Sequence, residues 1–269
     1  MRARALAALA LLTAACATRP APAPVLLGPV TALVATARGL LACSQAGITR
    51  VDVEPMQLLH TSELRLVALA WDETNDTLFA AGGIPGERGV VLAWRGTGAC
   101  ASVELADDLV VALALDPQRT TLACGCDDGR VVLLDAATLV ERATPRTHGG
   151  PVPALAFRGD ALASGGHDGL LRLGDATDPT PLVIADHADA VLALAWSSEG
   201  SWLASGSRDG RIRCHDPSGR LLASSPALRT PVLGLAALSP GADRVIATLA
   251  DGRALVMDLR GDVREVLPA

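Results

Sequence analysis

The stretch ASGGHDGLLRLGD, residues 163–175, sets a histidine directly against an aspartate between glycines. A His–Asp pair is what a general-base dyad or a metal centre requires, so His167 and Asp168 are the first residues to weigh. The cysteines come second: Cys16, Cys43, Cys100, Cys124, Cys126 and Cys214. None forms C-x-x-C or C-x-x-C-H, and the zinc-ribbon, thioredoxin-like and covalent-haem readings fail on that ground. Cys124 and Cys126 are two apart and share one face of a strand. The five besides Cys16 are an odd set for an oxidising compartment, and small buried thiols are the default expectation. No G-x-G-x-x-G or phosphate-loop context occurs.

The elements that must position these residues are short and repeated. Six segments open with the same apolar alternation: VTALVA at 30, LVALAW at 66, VVALAL at 110, VPALAF at 152, VLALAW at 191 and VLGLAA at 232. A second short apolar run follows each, as in TLACGC, ALASGG, WLASGS and RVIATL. After a turn, a third run closes on Asp, as in GRVVLLD, GLLRLGD, GRIRCHD and GRALVMD, and a less regular fourth run completes the unit. Short apolar runs punctuated by Gly, Pro, Asp and Ser are strands joined by tight turns. Four strands in roughly 40 residues make one propeller blade. The expected fold is therefore all-β, a propeller of six four-stranded blades over 30–269. Its alternatives are seven blades, or a last blade completed by an N-terminal strand such as APVLLG (23–28).

In this alignment Asp168 falls with Asp128, Asp209 and Asp251, each directly before Gly. An Asp-Gly pair between two apolar runs is a strong hairpin signal, because the turn needs positive φ. Asp168 is a turn residue first. No Ser-His-Asp set can be assembled without using these aspartates. His167 has Asp127, Arg208 and Ala250 as its equivalents, the variation of an exposed loop tip.

The units VLALAWSSEGSWLASGSRDGRIRCHD and PVPALAFRGDALASGGHDGLLRLGD resemble the WD40-repeat family, and the resemblance runs over about residues 30–267. The second unit, LVALAWDETNDTLFAAGGIPGERGVVLAW, also looks like a blade of bacterial exported WD-repeat proteins. The signature Trp-Asp dipeptide is nowhere intact. Trp94 precedes Arg95, and elsewhere the Trp position holds Val51, Leu134, Gly174, His215 or Met257. In the family the turn Asp accepts a hydrogen bond from a His placed before the first strand of the same blade. By that resemblance His148, Asp168 and Ser164 form one structural network, and His187, Asp209 and Ser205 a second. Cys43 and Cys124 align with the two serines as small core-facing residues. The resemblance also places His167, Asp127 and Arg208 on the top rim where partners bind, with Arg65 just before a first strand. The insertion IPGERG (84–89) enlarges a turn of the second blade and offers Glu87 and Arg88 as a protruding binding element.

The N-terminus reads as an address. MRAR is a basic n-region, and ALAALALLTAA (5–15) is an apolar run too short to span a bilayer. LTAAC resembles a bacterial lipobox, which implies removal of residues 1–15 and acylation of Cys16, with ordinary cleavage as the alternative. Residues 16–29 then form a semi-rigid Pro/Ala tether. The implied location is the bacterial cell envelope, facing the periplasm, with the outer membrane favoured because Ala17 is not Asp.

The formal charge of −6 carries no electrostatic footprint for nucleic acid or anionic lipid, so the membrane enters only through the anchor. A barrel of the outer membrane is excluded by 2% aromatic content and the absence of tyrosine. The expected function is a monomeric, non-catalytic scaffold that binds a protein or peptide and needs no metal or cofactor. A hydrolase or lactonase with a site in the central channel is the alternative, although the first strands supply Val, Ala and Leu to that wall. A periplasmic assembly factor is a further one, by analogy of fold alone.

Overall fold

Alternating first runs and continuous second runs fold as the repeat requires. A computed structural model of the chain describes residues 30–36, 39–44, 47–53, 57–96, 100–238 and 243–267, and the leader, Cys16 and the tether lie outside them. Blade 1 consists of β1 (Ala32–Thr36), β2 (Gly39–Ser44), β3 (Gly47–Arg50) and β4 (Gln57–Thr61). Blade 2 consists of β5 (Arg65–Asp72), β6 (Thr77–Ile84), β7 (Arg88–Arg95) and β8 (Cys100–Ala106). Blade 3 follows with β9 (Val110–Leu115), β10 (Thr121–Cys126), β11 (Arg130–Asp135) and β12 (Glu141–Thr147). Blade 4 has β13 (Ala154–Arg158), β14 (Ala161–Gly165), β15 (Leu171–Asp175) and β16 (Leu182–Ile184). Blade 5 has β17 (Val191–Trp196), β18 (Leu203–Ser207), β19 (Ile212–His215) and β20 (Leu221–Ser224). Blade 6 has β21 (Val232–Ala237), β22 (Arg244–Leu249), β23 (Ala254–Asp258) and β24 (Val263–Leu267). Each blade is an antiparallel meander in chain order, so the fold is a six-bladed β-propeller. The last blade draws four strands from its own unit, with β24 paired to β23, and the candidate strand 23–28 lies outside the described residues.

The core lies between blades rather than inside any one of them. Phe79 and Val91 of blade 2 pack on Leu122, Cys124 and Leu134 of blade 3. Leu171 and Leu173 of blade 4 pack with Val191 and Leu203 of blade 5. A second strand is therefore covered on both faces, which is why LASGS of β18 is buried throughout and shows no period-two alternation. Each fully buried leucine contributes about 1.5–3 kcal/mol, with the conformational cost still to be set against it.

Glycine marks where a second strand touches the next blade. A Cβ on Gly125 would lie 2.2 Å from the Val152 carbonyl oxygen, and one on Gly165 or Gly206 would lie 2.5 Å from Cγ1 of Val191 or Val232. These are equivalent positions at successive interfaces. Gly125→Ala is expected to lower stability by about 2 kcal/mol, because backbone at 2.2 Å cannot step aside as a side chain could. Urea unfolding checks this, and an unchanged midpoint would contradict the rigid interface.

Candidate functional site

The Asp-Gly hairpins between second and third strands supply one end of the propeller with its ordered turns. Gly129, Gly169, Gly210 and Gly252 take φ of +72° to +90°, while the aspartates before them keep negative φ. In each turn the glycine N–H donates to the carbonyl three residues earlier, as from Gly169 to Gly166 at 3.2 Å. The aspartate side chain then caps the turn. Asp168 Oδ1 accepts from the Leu170 N–H at 3.1 Å, and Asp209 Oδ1 from the Arg211 N–H at 2.9 Å.

In blade 4, His148 reaches this turn from the loop before β13. Its Nδ1 lies 3.0 Å from Asp168 Oδ1, and its Nε2 lies 2.9 Å from Ser164 Oγ. Blade 5 repeats the arrangement, with His187 Nδ1 3.2 Å from Asp209 Oδ2 and Nε2 2.8 Å from Ser205 Oγ. Each Nδ1 faces both its aspartate and an arginine nitrogen, Arg172 Nη1 at 2.7 Å in blade 4 and Arg213 Nη1 in blade 5, and each Nε2 faces a serine hydroxyl. Both imidazoles are enclosed, with side chains 0% exposed. His167 is not part of either network. It is exposed, and its N–H donates to the Pro151 carbonyl.

Two arginines that the sequence reading missed complete the networks. Arg172 Nη1 donates to Asp168 Oδ2 at 3.1 Å, and Arg213 Nη1 to Asp209 Oδ2 at 2.9 Å. The signal was present as Asp-x-x-x-Arg, which occurs in the two blades that carry the His and in neither of the units built on Asp128 and Asp251. There Val132 and Leu255 stand in the arginine's place, and an Arg two residues after the Asp holds the turn at the surface. Arg130 pairs with Asp128, and Arg253 with Asp251, both at 2.8 Å.

Burial disfavours the charged imidazole and lowers the pKa of His148; burial with Arg213 alongside lowers that of His187 to about 4. Burial acts to raise Asp168 and Asp209, but the N–H groups, the histidines and, for Asp209, Arg213 outweigh it and hold both at about 2. A histidine whose folded pKa lies below its unfolded value takes up a proton on unfolding, so acid favours the unfolded chain. The loss begins near the ordinary value of 6.5 and for His187 is complete below about 4. The aspartates add a second loss as pH falls from 3.8 toward about 2. The melting temperature is therefore expected to be flat above pH 7 and to fall between pH 6.5 and 4, by on the order of 2–3 kcal/mol of stability. His187→Gln should flatten that segment in a pH series of thermal melts. An unchanged slope would show that the imidazole is not held neutral.

The rim residues gather at the same end. Arg65, His167 and Arg208 are exposed and Asp127 is half-buried. Burial and the neighbouring Asp108 raise the pKa of Asp127, while His167 and Arg65 act on it in the opposite sense, which places residues of three blades around one carboxylate. Arg208 lies 3.8 Å from Asp189 in an exposed pair. IPGERG extends the β6–β7 hairpin, which closes on an exposed three-residue turn with the Glu87 N–H 3.1 Å from the Ile84 carbonyl. Glu87 sits on that turn, whereas Arg88 belongs to β7 and pairs across the ladder with Glu104 at 3.1 Å.

The central channel, about 270 Å³, is walled by first-strand residues such as Ala68, Leu113, Ala154, Leu194 and Leu235. Among the described residues no three His, Cys, Asp or Glu side chains converge as a metal site would require. Cys43, Cys124, Cys126 and Cys214 are buried free thiols, and Cys100 is exposed and free. Burial pushes Cys126 and Cys214 to about 12, far from the range of a reactive thiolate. Cys124 faces Leu113 as Ser164 faces Leu155, but Ala42, not Cys43, faces Leu33. Cys43 is thus one residue out of the serine register and points at blade 2.

Blade 5, which holds the second network, also carries the match to a family model. Residues 180–216 match the family described as WD domain, G-beta repeat. The chain is similar to WD repeat-containing protein srw1 of Schizosaccharomyces pombe, 33% identical over 111 residues, 40% of this chain and 20% of that protein. It is 32% identical over 105 residues to Cell division cycle 20.1, cofactor of APC complex, of Arabidopsis thaliana, covering 38% of this chain and 23% of the other. Coronin-7 of Rattus norvegicus is 41% identical over 59 residues, 22% of this chain and 6% of its own. The matched segments thus span less than a quarter of these relatives. A chain in the structure titled Crystal Structure of Mitotic Checkpoint Complex superposes with a TM-score of 0.73 at 18% identity, covering 93% of this chain and 88% of that one. The computationally designed Ika8 protein superposes with a TM-score of 0.69 at 21% identity, covering 88% and 73%. These two likenesses concern the fold alone.

Proposed function

We propose that this WD40-like propeller is a non-catalytic scaffold that presents its turn-bearing end to a protein or peptide partner. We further propose that a lipid on Cys16 tethers it to a bacterial envelope membrane on the periplasmic side. The observation that carries the reading is the use made of the polar residues. His148, Asp168, Ser164 and their blade 5 counterparts are consumed in holding turns, while Arg65, Asp127, His167 and Arg208 stand free of those networks at the same end. Rigid turns displaying arginine and histidine suit recognition, since arginine is favoured at interface hot spots. The apolar channel wall offers nothing to a hydrolase mechanism that would need a base or hard-metal ligands there. The tether reading rests on the basic n-region, the short apolar run and LTAAC.

Tagged full-length protein, purified from detergent-solubilised envelope, should co-purify a partner that Arg65→Glu with Arg208→Glu releases. Persistent failure to enrich any protein, or a partner indifferent to those changes, overturns the rim as the binding face. Mass determination of the mature N-terminus tests the anchor separately: a chain beginning at acylated Cys16 supports it, and any other start refutes it.

A further inference from the structure

Buried apolar clusters join each blade to the next from blade 1 through blade 6, and among the described residues none joins blade 6 back to blade 1. The repeat shows what is missing at that seam. Leu66, Val110, Val152, Val191 and Val232, which open the later units, are all 0% exposed and take part in the interface with the preceding blade. Val30, which opens the first unit, is 44% exposed. Three residues on, Leu69, Leu113, Leu155, Leu194 and Leu235 each pack into the same interfaces. Their counterpart Leu33 is 37% exposed. β1 therefore alternates, with Ala32 and Val34 packed toward blade 2 and Leu33 and Ala35 exposed.

Blade 6 presents the matching face. Val245, Ala247 and Leu249 of β22 pack toward blade 5, while Ile246 and Thr248 between them are half-buried. Across the sheet from Ile246, Ala236 is exposed and Val256 half-buried. Thr248 explains why the two blades stay apart. It pairs with Gly234 as Gly125, Gly165 and Gly206 pair with Ala112, Ala154 and Ala193, so it stands where those glycines stand. A Cβ on any of those glycines would run into the first residue of the next blade, and Thr248 carries a branched side chain there. Blade 1 cannot close on blade 6 as the other blades close on one another. Ala42 and Thr49, which share the face of Leu33, are buried, so the opening is narrow and lies along the inner strands.

The chain that leads into this opening is apolar. Residues 23–28, outside the described residues, read APVLLG and reach Val30 through Pro29, whereas CATRPAP (16–22) before them has no large aliphatic side chain. Val25, Leu26 and Leu27 lie within five residues of Val30, roughly 17 Å of extended chain. A narrow opening admits a few side chains and not the face of a second propeller. Covalent attachment beside it also favours this segment over any separate chain.

We propose that Val25, Leu26 and Leu27 insert between the inner strands of blades 6 and 1, cover Leu33 and Ile246, and close the ring. β24 already holds the outer place of blade 6, so the segment is a wedge between two blade faces and not a further strand of either. The inference is independent of the rim and of a lipid on Cys16.

The test uses the full chain, in detergent where acylated, with Leu26→p-benzoylphenylalanine as a photo-crosslinker in an equal mixture of isotope-labelled and unlabelled protein. Crosslinks within one molecule, to the β1 or β22 peptide, are expected. A variant combining Val25→Ser, Leu26→Ser and Leu27→Ser should melt about 5 °C lower. Its β1 and β22 amides should exchange with solvent about tenfold faster, while those of β14, away from the seam, keep their rate. The three serines lie outside the blades, so the blades themselves are left intact. Crosslinks only between molecules would assign the seam to a second copy and overturn the proposal. It is equally overturned by crosslinks elsewhere or none, by a triple variant that melts and exchanges as the parent does, or by an equal rise in exchange at β14.

Discussion

Replacing Asp209 with alanine is expected to destabilise the propeller by about 4 kcal/mol and to lower its melting temperature by roughly 10 °C or more. The carboxylate accepts from the Ala188 and Arg211 N–H groups and from Arg213, and it faces His187 Nδ1. Its side chain is 8% exposed and that of Arg213 is 12% exposed, so the arginine would be left charged in a place water hardly reaches. Breaking one partner from a buried pair costs far more than the pair contributes net, because the orphaned charge retains its full desolvation penalty. The same change at Asp128 or Asp251 provides the contrast. Those carboxylates are 30% and 36% exposed, and their arginine partners can turn to solvent. There solvent screens the ion pair, and the larger part of the loss is that of a turn cap. Thermal melts of the three alanine variants therefore rank Asp209 well below the other two. Equal losses would mean that the turn cap matters and the His–Asp–Arg network does not. Arg213→Leu in the Asp209→Ala background should restore part of the stability, since it removes the stranded charge.

That ranking depends on a feature the sequence displayed without its meaning being drawn. The six-fold repeat, the Asp-Gly turns and the apolar channel wall were legible because each rests on local chemistry: alternation, positive φ at glycine, and small side chains in first strands. The pairing of His148 with Asp168 and of His187 with Asp209 was legible only through the resemblance to other repeats, since 20 and 22 residues separate the partners. Arg172 and Arg213 were overlooked although Asp-x-x-x-Arg marks them, because adjacent histidine and aspartate drew the chemistry toward His167. Cys43 was misplaced for a different reason. GLLACS shows no alternation of apolar and polar residues, so nothing in it fixes which residues face which blade, and a slip of one residue exchanges the two faces. Gly and Pro in IPGERG marked the enlarged turn of the second blade but not the length of the hairpin that carries it.

Arg146 was equally hidden, and its removal should be as costly as that of Asp209. It sits on β12 of blade 3, is 3% exposed, and reaches into blade 4. Its guanidinium donates to the carbonyls of Leu162 at 2.7 Å, Gly174 at 3.0 Å and Asp175 at 2.7 Å, with a longer bond to Arg172 at 3.3 Å. The need for this arises in the strands. β16 has only three residues, and its ladder with β15 ends at Leu173, so Gly174 and Asp175 lie beyond the last pair. A side chain from the neighbouring blade supplies donors that the short outer strand does not. Burial lowers the pKa of Arg146 to about 10, with Asp178 and Asp175 opposing, so the group remains charged at neutral pH. Arg146→Ala leaves several carbonyls facing a void, and the expected loss is about 4 kcal/mol. Arg146→Lys should recover little, because a single ammonium cannot address carbonyls that a planar fork meets at separate points. Shortened variants at Arg142, a surface partner of Asp135, should by contrast cost about 1 kcal/mol or less. Urea midpoints with unchanged slope measure all three. A loss below about 1 kcal/mol for Arg146→Ala would mean that water replaces the guanidinium, and that blade 4 does not rely on blade 3 to close its truncated edge.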